Sequence, residues 1–256
     1  MVRGLQRFRE YFADFKDRYV LIGGIATALS LEDAGLQARA TKDLDIVLCL
    51  ETLDKGFTEA FWKFVEEGGY EAQKGGDGKT RYYRFSKPKD VTFPEVLELF
   101  SREPDHFNLA NDAKLTPVPA GEEAEDLSAI LLDDAYYDFI HQGAAELAGV
   151  TCLRPSYLIP VKAHAWLNLS ADAKAEKKID RADIKKHRND IVRLAQVIRP
   201  DDRIELPEPI HNHLRDFIAQ AELDGQFKPE NVPPGGMSRA ALVEILRTAY
   251  NIGKAA

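Results

Sequence analysis

Asp43 and Asp45 stand two residues apart at the head of an apolar run, DLDIVLCL. If that run is a strand, its period of two points both carboxylates to one face of the sheet. Two carboxylates side by side repel each other, and a hard, oxygen-seeking cation such as Mg²⁺ relieves the repulsion. For so short a pattern taken alone, the commoner explanation is one aspartate that caps and another that faces solvent. Direction narrows the chemistry. Aspartyl-phosphate formation uses carboxylates that emerge at the end of an apolar strand, whereas here the residues from Ile46 to Leu50 follow the pair.

Three further places hold groups of interest. Gly23 and Gly24 follow the apolar run Tyr19–Ile22 and precede a helical pattern. Such glycines let backbone N–H groups approach a phosphate at the positive end of a helix, and they equally suit a plain strand-to-helix turn. Glu98 lies among Val96, Leu97, Leu99 and Phe100. A buried acid there needs a cation or a partner, while an outward-facing edge position needs neither. Thr41 stands two residues before Asp43, with Arg39 and Lys42 beside it. Its hydroxyl is expected to contact a phosphate, unless it ends the loop merely as a β-branched residue.

The elements that must position these residues follow from periodicity. Residues 4–18 place Leu5, Phe8, Phe12 and Phe15 on one helical stripe. A strand over 19–22, a helix over 25–34, a strand over 43–50 and a helix over 54–67 come next, then strands at 70–73, 81–86 and 96–100. Pro117, Pro119 and Gly121 mark a boundary. Beyond it the pattern predicts helices over 125–147, 156–169, 180–198, 208–222 and 239–251, with Ser238 as an N-cap and a loop over 225–236. The expected fold is α/β (α+β): a mixed-sheet core in residues 1–118 and a mainly α-helical domain in 119–256.

The order YVLIGGIATAL, RATKDLDIVL, VLELFS resembles the DNA polymerase β superfamily of nucleotidyltransferases. The spelling Gly-Gly, helix, RATKDLD is most similar to its minimal AbiEii-like (type IV toxin) group, as are Lys162 in PSYLIPVKAHAWL and Asp190 in KKHRNDIVRLA. The resemblance covers about residues 19–198. It implies Mg²⁺ or Mn²⁺ held by Asp43, Asp45 and Glu98, the last where the family usually has an aspartate. It also implies that the helical half completes a nucleotide cleft formed with Gly23, Gly24 and Thr41. The usual family spelling at the turn is Gly-Ser, so a hydroxyl contact is missing unless Thr27 supplies it.

The same resemblance gives Lys162 a charge on the β/γ-phosphates and lets Asp190 orient it or meet a base. Without it, Lys162 reads as a lysine snorkelling to solvent and Asp190 as an i,i+4 partner of Lys186. The implied activity moves a nucleoside monophosphate from an NTP to a hydroxyl and releases pyrophosphate. RNA, especially a tRNA 3′ end, or a protein is the implied acceptor, and a toxin opposed by an antitoxin protein the implied setting. Two other readings stay open: a catalytically weak nucleotide-binding module, and a protein-interaction module whose helical half carries the function.

The whole chain sets outer bounds. Its 256 residues are 45% hydrophobic and 30% charged, the composition of a globular protein. No secretory signal or membrane-spanning run is legible, so a soluble, cytoplasmic protein without a membrane partner is expected. Cys49 and Cys152 sit in apolar runs and read as core thiols. A net charge of −8 argues against non-specific coating of nucleic acid. That charge is uneven: acidic residues dominate between Glu95 and Asp138, and basic ones between Lys174 and Arg193. A polyanionic partner would be drawn to the second stretch, which a solvated helix face also explains.

Overall fold

The computed structural model describes residues 2–74, 80–104, 115–118, 128–177, 179–199, 201–233 and 235–253. The chain divides into two compact units: residues 1–28 with 39–153, and residues 29–38 with 154–256.

In the first unit α1 (Leu5–Tyr11) tightens into a 3-10 turn at Ala13–Phe15, so the helix expected over 4–18 ends early. Then follow β1 (Tyr19–Ile22), α2 (Gly23–Asp33, whose residues from Leu29 onward belong to the second unit), β2 (Asp43–Leu48), α3 (Lys55–Gly68), β3 (Glu71–Lys74), β4 (Thr80–Ser86) and β5 (Val96–Ser101). The first unit closes with β6 (Leu115–Pro117), β7 (Ser128–Leu131), α4 (Asp134–Gln142), β8 (Ala144–Leu147) and β9 (Val150–Leu153). The strands form one mixed sheet in the order β3-β4-β5-β2-β1-β9-β8, with β7 pairing β5 and β6 pairing β7.

Alternation gives this sheet two different faces. In β2 the buried Leu44 and Ile46 alternate with the half-buried Asp43 and Asp45; in β5 the buried Leu97 and Leu99 alternate with Val96 and Glu98. The register sets Leu44 beside Leu97, and Leu97 beside Phe85 of β4. Helices α1 and α3 supply a cluster of rings. Phe8 stacks on Phe12 at 4.4 Å, Phe12 meets Phe57, Phe61 and Phe64, and Phe61 meets Phe85 edge-on. Asp54 starts α3 by accepting a hydrogen bond from the Phe57 N–H at 2.9 Å, and Gly69 ends it at φ 63°. The opposite face of the strands carries the polar residues.

The segment expected as a helix over 125–147 is different. Asp133 caps a helix of nine residues, and after it β8 and β9 form a hairpin. The hairpin turns on Ala148 and Gly149, both at positive φ (51° and 79°). Because β7, β8 and β9 all join the sheet, the first unit runs to Leu153 rather than ending at the prolines near residue 118.

The second unit contains α5 (Pro155–Lys174), α6 (Arg181–Ala195), α7 (Glu208–Leu223) and α8 (Arg239–Ala249). Helix α5 packs on α6 and α7, and α8 on both of these. Pro160 lies inside α5, so the Ser156 carbonyl loses its usual i+4 donor. The buried Tyr250 hydroxyl replaces it, donating to that carbonyl at 2.6 Å. The architecture is therefore the expected mixed α/β core followed by an α-helical region. Among the described residues, no helix is long and apolar enough to cross a membrane.

Candidate functional site

The turn from β1 into α2 is built on a close approach. Gly23 has φ 65°, and a Cβ on it would lie 1.8 Å from Asp45 Oδ2. A Cβ on Gly24 would lie 2.7 Å from Thr41 Oγ1 and 3.1 Å from an Arg39 guanidinium nitrogen. Only glycine tolerates both the left-handed backbone and the contact at Gly23. The glycine pair, Thr41 and Asp45 thus share one place at the head of an eleven-residue helix.

Strand register extends that place sideways. Ile22 of β1 faces Asp45 of β2, Asp45 faces Glu98 of β5, and Glu98 faces Arg84 of β4. Directly paired residues point to the same side of a sheet, so Asp45, Glu98 and Arg84 form a row, with Asp43 one step along β2. Arg84 forms an ion pair and hydrogen bond with Glu98. Among the described residues, no group of three or more His, Cys, Asp or Glu stands close enough to hold a metal ion. Asp43 and Asp45 nevertheless match how Mg²⁺ is commonly bound, through one or two carboxylates with waters and substrate phosphates filling the rest. Glu98 shares their face, and its carboxylate is engaged by Arg84.

The surroundings are mostly paired. Thr41 is buried, and its carbonyl accepts the Arg3 N–H at 3.4 Å. Lys42 bonds Glu95 at 2.7 Å, and that bond holds the Glu95 carboxyl below its ordinary range. Thr27 does not supply the missing serine hydroxyl: its Oγ1 donates to the Gly23 carbonyl at 2.8 Å, inside its own helix.

Lys162 and Asp190 lie in the second unit and meet there. Lys162 Nζ donates to Asp190 Oδ2 at 2.9 Å, with side chains 3% and 0% exposed. Arg193 takes the other carboxylate oxygen at 3.0 Å. Neither bland expectation holds, since Lys162 does not snorkel and Asp190 is engaged across the helix pair by Lys162. Breaking such a buried pair is costly, about 3–5 kcal/mol, because it strands a charge away from water.

Arg84 and Arg193 were not expected as members of these groups. Alternation in RYYRFS puts Arg84 on a definite face, but its meeting with Glu98 depends on β4 lying beside β5. Both cysteines are buried, and neither forms a disulfide. Cys49 Sγ lies 3.3 Å from His141 Nδ1, and burial pushes the thiol up to about 12, which keeps it protonated and inert.

No family model matches the chain, and no curated protein matches it. Among solved structures it is similar to an antigenic nucleotidyltransferase-like protein from Paracoccidioides brasiliensis. The two share 14% identity over 96% of this chain and 93% of that one, with a TM-score of 0.48.

Proposed function

We propose that the chain is a metal-dependent nucleotidyltransferase that moves a nucleoside monophosphate from an NTP to a hydroxyl acceptor. The observation that carries this reading is the glycine turn pressed against Asp45, with the Thr41 hydroxyl beside it. A helix N-terminus opened by glycines favours phosphate at its backbone N–H groups, and the carboxylate pair favours a divalent cation at the same place. Asp43 and Asp45 would hold Mg²⁺ or Mn²⁺, and Glu98 would join them on leaving Arg84. Bound there, the ion would neutralise phosphate charge and acidify the attacking hydroxyl. Gly23 and Gly24 would admit the phosphates, and Thr41 would donate a hydrogen bond to one of them. For Lys162 the proposed role is a phosphate-binding charge, with Asp190 positioning it, as the sequence resemblance implies. The acceptor is RNA, especially a tRNA 3′ end, or a protein hydroxyl, and an antitoxin protein is the corresponding partner.

The test is incubation with each labelled NTP, Mg²⁺ or Mn²⁺, and total cell RNA and protein. Label should enter one acceptor class, and Asp45→Asn should abolish it without lowering the melting temperature of the metal-free protein. Full labelling by the Asp45→Asn protein would sink the assignment. One observation favours the second reading, a nucleotide-binding module with weak turnover: Arg84 already occupies the Glu98 carboxylate. Calorimetric NTP binding without pyrophosphate release would select that reading.

A further inference from the structure

One stripe of α6 is cationic and open to solvent: Arg181 and Lys185 are exposed, and Ile184 and Arg188 are half-buried. Arg181, Ile184, Lys185 and Arg188 recur at i, i+3, i+4 and i+7, so they share one face of the helix. With Trp166 and Lys174 of α5 they line a cavity of about 390 Å³, and no carboxylate stands among its described lining residues. Arg188 is held by Asp224 at 2.8 Å and lies 4.3 Å over the Phe227 ring. Lys174, Arg181 and Lys185 make no ion pair among the described residues. Like charges three and four residues apart on a helix repel, and in this row only Arg188 has a carboxylate partner among the described residues.

Trp166 forms an apolar part of the lining. It is 8% exposed, and its indole N–H is buried without an acceptor among the described residues. The cations from Arg181 to Arg188 also extend roughly 10 Å along the helix at about 1.5 Å per residue, a row rather than a point. A single phosphate group would use one end of that row. Successive phosphates of one strand would use all of it, and a recessed groove with cationic walls tracks a strand in this way. We propose that the α5–α6 cavity binds the phosphate backbone of a single nucleic-acid strand. Trp166 lies too deep to stack on a base, so recognition is electrostatic and insensitive to sequence. The proposal concerns binding and stands without the catalytic reading.

The test measures fluorescence anisotropy of a short labelled RNA oligonucleotide over a range of salt concentrations. Lys174, Arg181 and Lys185 together give a slope of log K against log salt of roughly −2, at about 0.7 per neutralised phosphate. Arg181→Glu/Lys185→Glu should weaken binding by about ten-fold or more and make the slope shallower by roughly 1.4. The milder Arg181→Gln/Lys185→Gln pair should show the same direction, with circular dichroism and the melting temperature confirming that both variants fold. Lys55→Glu/Lys63→Glu on α3 makes the same charge change at exposed positions and should leave affinity near the parent's. Unchanged affinity in the α6 variants, or an equal loss in the α3 pair, would overturn the proposal. Displacement of the strand by inorganic triphosphate as readily as by unlabelled strand would reassign the cavity to a free nucleotide's phosphates. Equal displacement by polyglutamate would reassign it to an acidic protein, and either result ends the strand proposal.

Discussion

At the scale of single residues, the sharpest constraint is Gly23. An alanine there would adopt a left-handed backbone at about 1–2 kcal/mol and drive its methyl group into the Asp45 carboxylate. Gly23→Ala should therefore lower the urea midpoint and weaken NTP binding together. Gly24→Ala should do less, because the obstacle is the Thr41 side chain, which can turn. A Gly23→Ala protein with the parent's midpoint would mean that the turn is not built as described. The shared face of Asp43 and Asp45 was legible from the period of two alone, and so was the place of Glu98 on its own strand. The Arg84–Glu98 pair was not. It needs a neighbour relation between β4 and β5 that no local pattern encodes, because the side chains meet across strands rather than along one.

At the scale of elements, α5 and the end of the chain are joined by one hydrogen bond with a specific cause. Pro160 removes a donor from α5, and Tyr250 restores it from just beyond α8. Tyr250→Phe should cost about 1–3 kcal/mol, the penalty of a buried carbonyl left without a donor. In a Pro160→Ala background the helix supplies its own N–H, so the same change should cost less. A double-mutant cycle on urea midpoints measures the difference, and zero coupling would refute the pairing. Most helices were readable from their apolar spacing: α3, α5, α6, α7 and α8 all lie close to their expected spans. The β8–β9 hairpin was hidden. Ala144, Ala145, Glu146 and Leu147 are good helix formers, and the turn uses Ala148 where asparagine or aspartate would have announced it. Pairing of β9 with β1 overrides that local preference.

For the whole molecule, stability should depend on pH in two steps. Burial holds His141 below its ordinary range, against an opposing pull from the Glu51 charge. A base depressed in the fold contributes stability that is present above its unfolded value, about 6.5, and lost as pH falls through its folded value. The second step lies lower, where Glu51, Asp54 and Glu95 are protonated: burial raises Glu51, but its hydrogen bonds to Tyr137 and Arg102 outweigh that, and hydrogen bonds likewise hold Asp54 and Glu95 below the usual carboxylate range. Urea midpoints of the parent should decline between roughly pH 7.5 and 5.5, and His141→Gln should flatten that decline. An identical decline in the variant would remove His141 from the account. The partition of the chain has a consequence for its synthesis. Residues 29–38 emerge from the ribosome early but belong with residues 154–256, and the first unit resumes at Arg39. A nascent chain of the first 153 residues thus carries a ten-residue piece whose companions do not yet exist. Folding cannot be strictly vectorial, and neither unit can be exchanged between genes as one uninterrupted cassette.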